Sequence, residues 1–239
     1  MSCEEIIAEL KEQASMKYKA NVVKLGIPEE DSIGVSTGEI RGFAQRIGKG
    51  KSTELAFELW NTGYHEARLL AALLFNYKEI QFSDIEKMMN DVASWDLCDH
   101  LCKNLIIKMK GYEVLIPKWI DEKHIYKKRA AFTLIASATI HDKKILDDTL
   151  DTYLKLISEY SNCEHEHVKK AVSWALREIG KRDFVYNEKA LLLAHELVDS
   201  GNKTQQWIGK DAIKELESVV KTDGRSRLIS TKTQMGRNQ

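Results

Sequence analysis

KKRAAFTLIA (residues 127–136) sets basic residues before an alanine pair and an apolar helical face. VKKAVSWALR (168–177) and IGKDAIKELE (208–217) repeat the phrase: basic residues, then alanine, then apolar positions at helical spacing. Aligning Ala130, Ala171 and Ala212 spaces them 41 residues apart both times. A helix pair recurring near that period is the mark of a HEAT- or armadillo-like array. One pair cannot bury its own apolar face, so neighbours stack and the array curves. The fold expected is all-α: an α-α superhelix, a HEAT/armadillo-like repeat solenoid, whose concave face is a groove for an extended ligand.

The rest of the chain agrees. Helical periodicity is nearly continuous from residue 3 to residue 220, and no strand pattern with hairpin turns interrupts it. Two prolines among 239 residues, with 30% charged side chains, also favour helix. Ser36 with Glu39, and Ser83 with Glu86, fit the capping box, in which a hydroxyl and a carboxylate satisfy orphan amides reciprocally. Gly111, Gly180 and Gly201 stand where helices should stop. The organisation expected is one repeat domain over 1–221 and a disordered basic tail over 222–239, TDGRSRLISTKTQMGRNQ, which is polar with little periodicity.

Charge and cysteine usage narrow the class. The formal net charge is zero, so bulk charge gives polyanion binding no support and any basic surface must be local. Cys3, Cys98, Cys102 and Cys163 are scattered, which suits a reducing compartment. MSCEEIIAEL at the start is acidic and lacks the apolar core of a signal peptide. The longest apolar run, LLAALLF at 69–75, is too short to span a bilayer. A cytoplasmic, monomeric protein with no membrane partner is expected.

Three helices carry side chains that admit either a packing role or a functional one. On the helix that begins in SWDLCDHLC (94–102) and continues to Lys110, Cys98, Leu101, Cys102, Leu105 and Met109 project onto one apolar arc, with Trp95 at its edge, Asp99 just beyond and Lys103 and Lys110 outside. Ser94 is placed to cap this helix and Asp96 to meet its dipole. Asp99 has no such role. It is either a surface carboxylate paired with Lys103 or a group aimed, with Trp95, at something cationic. In HVKKAVSWALREIGK (167–181), Val168, Ala171, Val172, Ala175, Leu176 and Ile179 form the apolar arc, and Lys170, Trp174, Arg177 and Lys181 run opposite. That indole is either covered by a neighbouring helix and lysine stems or forms a ligand-facing stripe with phosphate-binding charges. Arg129 shares a face with Ile125, Phe132 and Ala136, so it must be paired, with Asp99 or Glu178 as candidates, or must reach a phosphate.

Other signals are weaker. GKGKST (48–53) resembles part of a phosphate loop, but Gln45 stands where glycine is required and no strand precedes it. CEHEH (163–167) lacks the spacing of a structural zinc site and no second ligand pair follows. No serine-histidine-aspartate order or nucleophile elbow is visible.

These residues together resemble the AlkD-type DNA alkylation-repair glycosylases, which are built from HEAT-like repeats. The resemblance runs from KLGIPEEDSIGVSTGEIRGFAQRIGK (24–49) through LWNTGYHEARLLAAL (59–73), SWDLCDHL and KKRAAF to VKKAVSWALREIGKRD (168–183). It implies that Asp99 is the catalytic carboxylate, with Trp95 and Trp174 as the two indoles of the site. It implies DNA-binding roles for Arg129 and Arg177, with Lys128, Lys170 and Lys181 beside them on a concave DNA-binding face. It implies double-stranded DNA carrying alkylated bases as partner, hydrolysis of the N-glycosidic bond of cationic alkylated purines (3-methyladenine, 7-methylguanine) as reaction, and no cofactor or metal. The alternative is an inactive solenoid that binds nucleic acid or protein. Lys128, Arg129, Lys170, Arg177, Lys181 and Lys210 should converge if the first reading holds. Acids neutralising that face would favour the second.

Overall fold

Ala130, Ala171 and Ala212, which set the 41-residue register, are each fully buried on three helices that pack in succession in a computed structural model describing residues 1–24, 26–48 and 52–237. The chain forms two compact units, Met1–Tyr112 and Glu113–Gln239.

The first unit holds α1 (Cys3–Glu12), α2 (Met16–Lys24), α3 (Thr37–Ile47), α4 (Thr53–Asn61), α5 (His65–Leu74), α6 (Phe82–Asn90) and α7 (Trp95–Asn104). Its centre is α5, which packs on α3, α4 and α7. All its residues but Arg68 are buried, as expected of a helix with neighbours on every side. Glu66 on this helix is wholly out of solvent. It accepts hydrogen bonds from Ser32 Oγ (3.1 Å), Ile33 N (2.8 Å), Gly34 N (2.7 Å) and Val35 N (3.3 Å). The segment before α3 is thereby wound around one carboxylate. Gly34 has φ +97°, and an added Cβ would meet Lys19 Cβ at 2.8 Å and Ser15 O at 2.9 Å, so only glycine fits.

The capping box at Ser36 and Glu39 is present as expected. The one expected at Ser83 and Glu86 is not. Gln81 is the N-cap of α6 and pairs with Asp84, so Ser83 lies inside the helix. A run of capping-competent residues two apart left the start ambiguous by one half-turn. GKGKST lies outside the described residues at Lys49, Gly50 and Lys51. No described helix is long and apolar enough to cross a membrane.

The second unit holds α8 (Leu115–Ile120), α9 (Ile125–His141), α10 (Asp147–Tyr160), α11 (Glu166–Gly180), α12 (Phe184–Asp199) and α13 (Lys203–Leu216). α9 packs on α8 and α11, α11 on α12 and α13, and α12 on α13. The predicted apolar arc of α11 is fully buried at all six positions. Gly180 is the last residue of α11, and a Cβ there would lie 2.7 Å from Leu216 Cδ1, so the close packing of α13 requires glycine.

Beyond α13 come strands β1 (Val219–Val220) and β2 (Ile229–Ser230), paired antiparallel, and the short α14 (Gln234–Arg237). This departs from the disordered basic tail expected from residue 222. Arg227 Nη1 donates to Thr139 O (2.6 Å) and Nη2 to Glu178 O (2.7 Å), while Lys232 Nζ donates to Lys214 O (2.6 Å). Those carbonyls lie in the last turns of α9, α11 and α13, where four acceptors per helix have no partner within the helix. Leu228 N bonds Lys181 O (2.8 Å), and the Leu228 side chain is 3% exposed. The composition showed the basic residues but not the helix ends they would cap.

Candidate nucleic-acid site

In the first unit, α7 follows the predicted projection with one difference. Cys98, Leu101, Cys102, Leu105 and Met109 are buried, although α7 ends at Asn104 and a 3-10 turn, Ile106–Lys108, carries the chain on. Trp95 is half-buried. Asp99, expected just outside the core, is only 8% exposed. Lys103 Nζ, the expected surface partner, stands 4.0 Å from Asp99 Oδ2, the outer limit of an ion pair.

The neighbouring acid has a structural role instead. Ser94 caps α7 by backbone conformation, without a side-chain cap bond. Asp96 in the first turn lies 2.8 Å from His65 Nε2 on α5. Burial pushes the Asp96 carboxyl up, but the hydrogen bond and charge of His65 pull it further, to below the ordinary carboxylate range. His100, one residue after Asp99, is 8% exposed. Burial first, then the Arg41 charge, lowers its pKa to about 4. α7 therefore carries an imidazole whose burial disfavours its charged form and a carboxylate, Asp96, tied to α5.

The second unit holds the remaining predicted residues. Arg129 on α9 is 6% exposed and donates from Nη1 to His167 O on α11 at 2.5 Å. Lys128 beside it is half-buried. On α11, Trp174 is half-buried, and its Nε1 donates to Glu178 Oε1 at 3.1 Å, one turn on. Glu178 is itself only 8% exposed. The same carboxylate receives Lys181 Nζ (2.7 Å) and Arg227 Nη2 (2.8 Å). The indole of Trp174 is thus fixed by a hub that the C-terminal segment helps to close.

The three predicted basic residues here, Lys170 and Arg177 on α11 and Lys181 at its C-cap, all meet acids. Arg177 Nη1 is hydrogen-bonded to Asp211 of α13, and Arg177 Nε stands 3.1 Å from Glu215. Lys181 Nζ reaches Glu215 at 2.8 Å. Lys170, more exposed, pairs with Glu166 one turn earlier at 3.0 Å. Arg177 and Lys181 are i,i+4 on one helix, and Asp211 and Glu215 are i,i+4 on the next, so the pairs form a charge ladder. Of the two outcomes expected for this stripe, convergent cations or neutralising acids, α13 supplies the acids at Arg177 and Lys181. Asp211 and Glu215 share a face of α13 at i,i+4 spacing, and only the packing of α13 on α11 sets that face against Arg177 and Lys181. Glu178 carried a visible signal as the carboxylate one turn after an indole on the same helix face. No described group of histidine, cysteine and acidic residues could hold a metal. His165 in CEHEH instead caps α11, accepting from His167 N.

A family model described as "DNA alkylation repair enzyme" matches residues 6–216. Among solved structures, one of "a new family of proteins related to the HEAT-like repeat DNA glycosylases with affinity for branched DNA structures" is similar at TM-score 0.74 and 19% identity, covering 100% of this chain and 94% of that one. The all-α HEAT-like repeat fold read from the 41-residue register is thereby shown. No curated protein sequence matches.

Proposed function

The chain belongs to the DNA alkylation repair enzyme family, and on that premise we propose that it is a DNA N-glycosylase acting on cationic alkylated purines, with Asp99 as its catalytic carboxylate. The observation that carries this is the burial of Asp99. It is 8% exposed, it shares a helix face with Trp95, and the N-terminal acid role on α7 already belongs to Asp96. Withdrawing a carboxylate from water is unfavourable, and an acid so placed exerts a stronger field than one in solvent.

The chemistry asks for that field. A 3- or 7-alkylated purine carries positive charge, so when the C1′–N bond breaks, its electron pair neutralises the departing base. Positive charge then grows on the deoxyribose as an oxocarbenium ion. A fixed carboxylate stabilises that charge as it develops. The same oxygen orients a water, whose oxygen bonds C1′ and whose proton is released to the carboxylate or solvent. Trp95 and Trp174 offer π faces to the cationic base and sugar. Glu178 fixes the Trp174 indole by its N–H, leaving the ring face to do this. Arg129 is assigned to phosphate. Release of 7-methylguanine or 3-methyladenine from methylated DNA tests the proposal.

A second reading is a DNA-binding protein without base release. It is favoured by the charge ladder, which spends Arg177 and Lys181 on Asp211, Glu215 and Glu178. The similar structure named above is itself described by affinity for branched DNA. Binding of methylated and unmethylated DNA with equal affinity, and no base released, would establish this reading instead.

A further inference from the structure

Residues 1–112 contain more acids than bases, yet one groove of about 430 Å³ in this unit collects three lysines and no acid. It is lined by Tyr77, Lys78, Phe82, Lys108, Met109 and Lys110, with Ile80 and Gln81. The acids nearest in sequence are engaged elsewhere. Glu79 accepts from Thr53 Oγ1 (2.6 Å) and Asn76 Nδ2 (2.7 Å), and Asp84 accepts from Gln81 N (3.1 Å) in the α6 cap. The N-terminus of α6 also opens here, through Gln81 and Phe82, and adds its partial positive charge. Lys78 and Lys110 are exposed, and among the described residues neither lies within ion-pair distance of a carboxylate. That is the reverse of Arg177 and Lys181.

The groove also has an aromatic platform. Tyr77 is 39% exposed, with Lys78 Nζ 6.0 Å from its ring centroid. The floor is fixed, since Ile80 and Met109 are buried. Cations beside an accessible ring are what a nucleic-acid strand with unpaired bases requires: phosphates meet ammonium groups and a base face meets the ring. A duplex keeps its base faces stacked and could use only the charges.

We propose that this groove binds a single-stranded segment of DNA, with Lys78 and Lys110 on successive phosphates and a base stacked on Tyr77. That the polymer is DNA rests on the proposed function; the groove shares no residue with the site there described. It gives the protein a place for a strand displaced or frayed beside a lesion.

The test measures binding of lesion-free labelled oligonucleotides, one single-stranded and one duplex, by fluorescence anisotropy across a salt series. Lys78→Glu/Lys110→Glu should weaken single-strand binding about tenfold. The slope of log K against log salt should fall by about 1.4, at roughly 0.7 for each phosphate that is no longer neutralised. Tyr77→Leu should weaken the single strand several-fold, within the roughly 1–3 kcal/mol range of base stacking, and leave the duplex unchanged. Lys123→Glu/Lys155→Glu, the same charge change elsewhere, should change binding less than about twofold. Melting temperatures verify that each variant is folded. Single-strand binding by the groove variant no weaker than by the control variant overturns the proposal. So does a Tyr77→Leu effect equal on both probes. Because the probes carry no lesion, a failure of base release leaves this result standing, and a failure here leaves base release standing.

Discussion

Arg227 of the C-terminal segment donates through Nη2 to Glu178 Oε2 at 2.8 Å, while Glu178 Oε1 holds the Trp174 indole N–H at 3.1 Å. A residue beyond the last repeat helix therefore reaches, through one carboxylate, a predicted residue of the site. Removing residues 222–239 should cost roughly 3–5 kcal/mol, at about 1 kcal/mol for each hydrogen bond removed, and lower Tm by about 10 °C. Arg227→Met alone should shift the Trp174 indole N–H resonance in a proton–nitrogen spectrum, and Arg227→Lys should shift it less. An unchanged melting curve for the truncated protein would mean that the segment does not cap the helices.

Glu66 answers three backbone N–H groups and one hydroxyl at once. Glu66→Ala leaves those donors buried without an acceptor, at about 1–3 kcal/mol each. A loss of at least about 3 kcal/mol in urea unfolding is expected, against less than about 1 kcal/mol for the exposed Glu30→Ala.

Acid should destabilise the protein well above the carboxylate range. His100 titrates near pH 4 when folded, depressed by burial and Arg41, and near 6.5 when unfolded. Between those values the unfolded chain binds the extra proton, so stability falls as pH drops from about 6.5 to about 4, by roughly 3 kcal/mol in all. The depressed Asp96 carboxyl acts at lower pH: its contribution is present above the ordinary aspartate value and is lost as pH falls through its folded value. His100→Asn should flatten the slope between pH 6.5 and 4 and leave the lower limb in place. An unchanged slope would assign it to other groups.

The charge ladder predicts its own release. Asp211→Asn/Glu215→Gln frees Arg177 and Lys181 from α13. If these cations face DNA once freed, duplex affinity should rise several-fold and its salt dependence steepen by about one to two counterions. An affinity no higher than wild type would remove Arg177 from the DNA interface; Lys181 keeps its pair with Glu178 in this variant.

The repeat was legible because alanine at a fixed interval is a packing constraint: Ala130, Ala171 and Ala212 are each buried where a larger side chain would hold helices apart. The apolar arcs of α7 and α11 were legible for the same reason, as periodicity records which face is dry. Partnerships were not. Asp211 and Glu215 meet Arg177 and Lys181 only because α13 packs on α11. Arg227 finds Thr139 88 residues away. A helical projection places a charge on a face but does not name what covers that face. The burial of Asp99 is of the same kind: its angle on α7 is that of a margin, and neighbouring elements decide how far a margin is covered.

Base release from methylated DNA by wild type and Asp99→Asn, both folded by their melting curves, decides whether this protein is the proposed glycosylase. Wild type should liberate 7-methylguanine or 3-methyladenine well above the spontaneous rate, and Asp99→Asn should slow that release on the order of 10²-fold. Equal release by the two proteins, at the rate of DNA alone, would leave a DNA-binding protein in which Asp99 does no chemistry.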